Sequence, residues 1–385
     1  MSNISKKTIE REPKHFIKKY KLIIYILILV IIKQLLIGRL PIYVIGNSSC
    51  DDRLMVLLAT NLLRLDWLGP FNSLTLVKGM FFPFFLALNT FLGISYINAV
   101  TLFYSISCIV FVYAIKDLFK KKWPLYLIFT ILLFNPIMYS IEVVGRVYRN
   151  SLTPGQVLLI LSSIFAIFIH RKDEKKSLLG WSLLGGLSLA SFWNTREDAI
   201  WILPLVLVYI LIMVIEYALL NKKHFNLKKI IIFILPLVIL EVCNLGISMI
   251  NYIEYGVFTR VDESNTSFSH AIQAIYSVPA KENIEYVSVT KEKLERLYEI
   301  SPSLNSISES LNSICKSIDA NGRNPEDGEI EDGWFWWALR FAAEANGYYE
   351  NATKAEEKPA FSAEKAGFLE LLGRFELPTS SLPTG

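Results

Sequence analysis

Charged residues are scarce in this sequence: Asp, Glu, Lys and Arg make up 19% of its 385 positions, where soluble domains carry about a quarter. With 53% hydrophobic residues and a mean hydropathy of +0.40, that shortage excludes a soluble globular enzyme and a disordered chain. Cysteine is scarce as well. Four in the whole chain exclude a disulfide-rich secreted module, and no spacing among them indicates a pairing. Cys108 and Cys243 fall inside apolar runs and read as small buried hydrophobes; Cys50 and Cys315 lie outside the runs, and a disulfide there stays open. No repeat at solenoid periods is visible. No small-residue cleavage site follows the first apolar run, and a long basic stretch precedes it, so a retained anchor is expected and not a cleaved signal peptide.

What the chain does have is long apolar runs, such as LIIYILILVIIKQLLI from Leu22 and IIIFILPLVILEVCNLGISMI from Ile230. Each approaches the roughly 20 apolar residues that cross a bilayer core. An all-α, multi-pass membrane protein of the cell envelope is therefore expected. Nearly half of the 39 Lys and Arg gather in four stretches: 6–21, 116–122, 171–176 and 222–229. Short basic loops stay on the cytoplasmic side, so these clusters are topology signals and not a nucleic-acid footprint.

Keeping all four clusters inside sets the number of crossings. Seven are expected, at about 22–40, 94–115, 123–140, 154–169, 177–193, 199–220 and 230–250. The apolar stretch 80–92, short and broken by Pro83, then lies in the outer interface, because a further crossing would put the cluster KDLFKKK outside. The domain reading is a cytoplasmic basic amino terminus at 1–21, a transmembrane domain at 22–250 with a first outer loop at 41–79, and an extracytoplasmic domain at 251–357. That last region is polar and acidic, with helical spacing in VTKEKLERLYEI and DGWFWWALRFAAEANGYY. Residues 358–385 are expected to be a non-native or disordered tail, since GRFELPTSSLPTG resembles the peptide made when a reading frame runs through a transfer-RNA gene.

Sorting the polar residues by side isolates one face. The outer loop holds Asp51 and Asp52, then Lys78 before the interfacial helix. The outer turns IEVVGRVYRN and NTRED carry Glu142, Arg146 and Arg149, and Arg196, Glu197 and Asp198. Carboxylates and guanidiniums beside apolar helices suit a substrate with an anionic head group and a lipid tail. Each residue also has a plainer reading. Asp51 or Asp52 could cap the helix that begins RLMVLL, Lys78 could snorkel to the interface, and the arginine turns could be local ion pairs worth little. Lys33 is close enough to the outer end of its span to snorkel. Glu241, near the middle of the last span, is costly in lipid and is expected to be neutral or paired inside the bundle, beside Asn244. The cluster Trp334, Phe335, Trp336 and Trp337 reads as a packed or interfacial face, with sugar stacking as the alternative.

A first span, a long outer loop with an early acidic pair, and KGMFFPFFLALNTFLG opening into the next span together resemble the integral-membrane glycosyltransferases of the C-type fold. These include the protein O-mannosyltransferases and the lipid A aminoarabinose transferases. The turn SFWNTREDAIWILP is similar to a Thr-Arg-acid turn seen in many of those proteins. The likeness covers roughly residues 20–250 and is nearest to uncharacterised bacterial members; Gly79 stands where a Pro often follows the Lys. The resemblance implies an inverting transfer of sugar from a polyprenyl-phosphate-linked donor to an unknown acceptor on the outer face. Asp51 or Asp52 would be the catalytic base, and Lys78, Arg146, Arg149, Arg196 and Glu197 would hold substrate. No cofactor is demanded by these residues. A divalent metal stays open, because one acidic pair supplies too few ligands to require it. A transporter or flippase of a lipid-linked substrate, or a non-catalytic assembly protein, are the competing readings. Transporters place broken or charged spans near the midplane, whereas charge here gathers at the outer ends.

Overall fold

A computed structural model describes residues 21–45, 50–172, 175–220, 227–262, 266–282, 284–319 and 329–349. The basic stretch before residue 21, most of the acidic segment GRNPEDGEIEDG, and the tail 358–385 with the short helix expected at 364–372 lie outside the described residues. Among the described residues the chain is all-helical, without strands. Helix α1 covers residues 21–37. It is followed by α2 (Asp52–Leu63), α3 (Phe81–Phe91), α4 (Tyr96–Ile115), α5 (Trp123–Leu133), α6 (Thr153–His170), α7 (Lys175–Trp193), α8 (Leu203–Leu220) and α9 (Leu227–Tyr255). Five further helices are α10 (Ser267–Ser277), α11 (Lys291–Ile300), α12 (Pro302–Ser306), α13 (Ser308–Asp319) and α14 (Asp332–Ala345). Among the described residues, four segments are long and apolar enough to cross a membrane: Tyr96–Leu118, Arg149–His170, Ala199–Leu219 and Leu227–Tyr255. Shorter apolar helices cover Phe81–Phe91, Trp123–Leu133 and Leu178–Trp193.

The chain divides into two compact units. One holds the residues up to Trp67 together with Lys78–Leu245; the other holds Leu68–Val77 together with the chain from Gly246 onward. In the first unit the helices pack through small residues, which let backbones approach closely in the absence of a hydrophobic drive between lipid-immersed helices. Gly155 on α6 sits against α4, where an added Cβ would lie 2.7 Å from the Phe103 ring. Gly185 on α7 meets Ser163 of α6 in the same way, at 2.9 Å. Several hydroxyls inside the bundle are satisfied by their own helix: Thr101 donates to the Ile97 carbonyl and Ser105 to that of Thr101. Buried positions on α4 recur at Ile97, Val100, Tyr104, Cys108, Val112 and Ile115, the spacing of a helix with one packed face. Among the described residues, Cys108, Cys243 and Cys315 are free thiols.

Three sequence expectations in this unit are corrected. The helix expected over 123–140 ends at Leu133. Pro136 disfavours helical backbone at Asn135, whose side chain instead accepts from the Ile137 amide at 3.1 Å and starts a new 3-10 turn, Pro136–Tyr139. Lys33 does not snorkel. It is fully buried, donates to the Leu133 carbonyl at 2.5 Å, and lies 4.4 Å and 5.3 Å from the ring centres of Tyr104 and Tyr139. The negative end of α5 and two aromatic faces replace the water an ammonium would seek. Glu241 is not enclosed by the bundle; it is exposed on α9, while Asn244 accepts from Asn194 at 3.2 Å.

The second unit has its own apolar core, including Ile272, Ile275, Leu294, Leu297, Leu311, Phe335 and Leu339. Helix α10 opens with a capping box between Thr266 and Ser269, and Thr290 caps α11. Trp334 and Trp336 pack against this core, Trp336 edge-on to Phe268 at 5.2 Å. Arg340 is completely buried, ion-paired with Asp262 and stacked 3.7 Å over the Phe268 ring. Residues 68–77, part of the loop expected at 41–79, belong here. Ser73 donates to Glu344 at 2.6 Å, and the Leu76 carbonyl accepts from the Asp262 amide at 2.8 Å.

Candidate functional site

Six of the seven residues singled out from sequence are drawn together in the first unit from segments far apart in the chain, and the seventh, Arg196, stands beside them. Asp51 immediately precedes α2, and Asp52 is its first residue. Neither carboxylate caps the helix: each turns to a cation. The Asp51 carboxylate pairs with the Lys78 ammonium at 2.9 Å and accepts from the Tyr148 hydroxyl at 3.0 Å. Asp52 is fully buried and takes both Arg146 Nε, at 3.0 Å, and Nη2, at 2.5 Å, with the Ile45 amide donating to its Oδ2 at 3.0 Å. The two acids are thus unlike. Asp51 keeps 36% of its side-chain surface open; Asp52 has none.

The segment after α5 is shaped to present its arginines. It makes a π turn, Ile141–Gly145, and then runs extended beside the chain that follows α1, where Tyr43 donates to Gly145 and accepts from the Val147 amide, both at 3.0 Å. The Tyr96 hydroxyl of α4 pins the Arg146 carbonyl at 2.7 Å. Tyr148 lies between the two arginines, with the Arg146 guanidinium 4.5 Å and that of Arg149 5.3 Å from its ring centre. Arg149 pairs with Glu197. Glu142, on the same turn, is exposed.

The third segment follows α7. Thr195 folds its hydroxyl back on the Ser191 carbonyl at 2.7 Å and accepts from Gln156 of α6 at 2.8 Å. Glu197, 8% exposed at its side chain, accepts from the Gly79 amide at 2.9 Å while it holds Arg149. The Asn194 carbonyl accepts from the Phe81 amide at 2.9 Å. A Cβ at position 79 would lie 2.3 Å from that carbonyl oxygen, so only glycine permits this approach beside Lys78. Arg196 reaches Asp198 with two bonds of 2.8 Å and 2.7 Å, and Asn150 with a third of 3.0 Å. It is the local pair that the plainer reading foresaw, with Asn150, next to Arg149 in sequence, as its further partner.

Burial pushes the Asp51 carboxyl up, but the Lys78 ammonium, the Tyr148 hydroxyl and the Arg149 guanidinium outweigh it and hold the group below its usual 3.8. The Tyr148 phenol is pushed up to about 12, chiefly by burial. The hydrogen bonds from Arg196 keep Asp198 low, and the Asp52 bonds raise the Arg146 guanidinium. The site sets four acidic side chains, Asp51, Asp52, Glu197 and Asp198, against four basic ones, Lys78, Arg146, Arg149 and Arg196. They pair one to one, and of the two adjacent acids Asp51 is the open one.

Tyr148, Gln156 and Asn194 were not selected from sequence, and Thr195 only as the first residue of the Thr-Arg-acid turn. Tyr148 had a signal, an aromatic between two arginines in RVYRN; the others are single polar residues at helix ends, which sequence does not distinguish from caps. Among the described residues, no group of three His, Cys, Asp or Glu side chains could hold a metal ion. Comparison with protein-family models, curated proteins and solved structures finds no match to this chain.

Proposed function

We propose that this chain is a membrane glycosyltransferase that moves a sugar from a polyprenyl-phosphate-linked donor to an acceptor on the outer membrane face, with inversion at the anomeric carbon. The observation that carries the reading is the ion pair of half-buried Asp51 with buried Lys78, set near Arg146, Arg149 and Arg196 in a chain of apolar helices. A base for an acceptor hydroxyl must be ionised and within hydrogen-bond reach, and a departing phosphate needs fixed positive charge. Asp51 meets the first requirement, and Lys78 with the arginines meets the second.

The pairwise balance adds a coupling between the two tasks. A donor phosphate that takes the Lys78 ammonium removes the partner that holds the Asp51 carboxyl down, so donor binding makes Asp51 a stronger base. The acceptor oxygen then attacks the anomeric carbon as its proton passes to Asp51. The carbon–phosphate oxygen bond breaks, and its electron pair leaves with the polyprenyl phosphate. Asp52 orients Arg146, and Glu197 fixes the Gly79 backbone and Arg149; these two act through the cations they hold.

The membrane arrangement belongs to the same proposal: seven crossings, amino terminus inside, the region from 251 outside. The third crossing is made by α5 together with the turns that follow it, since an 11-residue helix covers only about 16 Å. Convergence of residues near 51, 78, 146 and 197 in one network supports a single outer face for all of them. Radiolabelled sugar released from polyprenyl-phosphate donors by membranes carrying the wild-type chain, against membranes carrying Asp51→Asn, tests the proposal. Equal release from both sinks it.

A further inference from the structure

We propose that the cavity between α6, α7, α8 and α9 binds one water molecule, which bridges the Tyr209 hydroxyl, the Ser163 hydroxyl and the Ile232 carbonyl at the Pro236 break in α9. The inference rests on packing within the first unit and not on the chemistry of the outer site. Ser163 of α6, Gly185 of α7, Tyr209 of α8 and Pro236 of α9 line the cavity, together with apolar residues such as Ile167 and Leu189. Its volume is about 20 Å³. One water needs about 10–15 Å³ of cavity, so a single water fits and a larger ligand does not. Gly185 keeps this room open: a Cβ there would lie 3.1 Å from Ser163 Oγ and 3.8 Å from Pro236 Cγ.

A cavity walled only by apolar side chains stays dry; three polar groups set this one apart. The Tyr209 side chain is buried, and its hydroxyl has no hydrogen-bond partner among the described residues. Leaving a buried hydroxyl unpaired is costly. Ser163 donates its proton to the Trp181 carbonyl at 2.9 Å, so its oxygen is left to accept. Pro236 lies inside α9 and has no amide proton for the Ile232 carbonyl. In a helix the carbonyl four residues back points at the residue it would bond, so the Ile232 oxygen is aimed at the proline ring that lines the cavity. Carbonyls freed by a proline in a membrane helix are satisfied by neighbouring hydroxyls and ordered water. The count closes on one molecule. A water accepts from Tyr209 and donates its two protons to Ser163 and Ile232, the three bonds typical of a buried water. The end of a lipid chain would offer none of the three a partner.

Two measurements on the full chain in detergent test the proposal. Hydroxyl radicals generated by X-rays from a bound water modify the side chain that it touches, so Tyr209 of the folded wild type should be labelled. Tyr104, as deeply buried but bonded to the Leu132 carbonyl at 2.7 Å, should stay unlabelled. In unfolding by SDS in mixed micelles, Tyr209→Phe should lower the folded-to-unfolded ratio by roughly tenfold, the scale of a lost buried hydrogen bond. The sign of that change is decisive, because in a dry cavity the same substitution deletes an unpaired hydroxyl and raises the ratio. A Pro236→Ala background returns an amide to the Ile232 carbonyl and takes away one of the water's acceptors, so the loss from Tyr209→Phe should shrink there. No label on Tyr209, a ratio unchanged or raised by Tyr209→Phe, or an equal loss in both backgrounds would each overturn the proposal.

Discussion

Asp51, just before α2, and Lys78, shortly before α3, meet at 2.9 Å, while the neighbouring Asp52 is turned away and enclosed by Arg146. Adjacent acids with such different surroundings should respond differently to the same change. Asp51→Asn is expected to leave the fold intact and to lower sugar transfer by at least about 100-fold, the scale of a lost general base. Asp52→Asn is expected to act on stability, with about 3 kcal/mol lost as Arg146 is left without its buried partner. Thermal unfolding in detergent, measured beside transfer rates, separates the two. Comparable unfolding midpoints for the two variants would contradict the assignment.

Gly79→Ala places a methyl group where the Asn194 carbonyl stands 2.3 Å away. Backbone must shift on one side, at a cost of about 1–3 kcal/mol, and the shift carries Lys78 with it. The expected result is a lowered unfolding midpoint together with a raised KM for the donor. An alanine variant with wild-type midpoint and KM would show that the close approach is not maintained in the membrane.

The pH profile follows from the depressed Asp51 carboxyl. Its folded value lies below its usual one, so its contribution to stability is present above about pH 4 and disappears as pH falls through the folded value. In kinetics, the acid limb of kcat/KM reports the free enzyme and that of kcat the donor complex. Because the donor phosphate takes Lys78 from Asp51, the kcat limb should lie at the higher pH. Coincident limbs, or a kcat limb at lower pH, would contradict the coupling between donor binding and the base.

In the second unit, Arg340→Met is expected to cost about 3–5 kcal/mol, because Asp262 loses the guanidinium it is paired with in a buried setting. Arg340→Met with Asp262→Asn should recover part of that loss. Denaturant titration of the single and double variants measures the difference, and a double variant no more stable than the single one would deny the pairing its role.

The apolar runs at 96–118, 199–219 and 227–255 were legible because bilayer thickness demands a length that few soluble elements reach. The outer network was legible in part, since Asp51, Lys78, Arg146, Arg149 and Glu197 stand out as charges at the ends of such runs. What was not legible depends on which face of a helix is packed. α9 is apolar nearly all round, so its periodicity does not reveal that Asn244 faces the bundle and Glu241 does not. Lys33 read as a snorkelling lysine because its partners, Tyr104, Leu133 and Tyr139, lie on other elements. Residues 68–77 have no period at all, and their membership in the second unit rests on long-range bonds to Asp262 and Glu344.

Topology can be checked without assuming any activity. Single cysteines at Asp117, Asp173 and Phe225 should react only with reagents applied from the inside, and those at Thr60, Val147, Glu197 and Ile300 only from the outside. Outside labelling at Asp117 would mean that α3 crosses the membrane and would divide the candidate site between its two faces.

The central claim, transfer from a lipid-linked donor with Asp51 as base, is tested most directly by single-turnover sugar transfer in sealed membranes loaded with labelled polyprenyl-phosphate sugars. The account predicts transfer by the wild-type chain, a loss of at least about 100-fold in Asp51→Asn, and inverted anomeric configuration in the product. Retained configuration, or an Asp51→Asn rate equal to wild type, would contradict it.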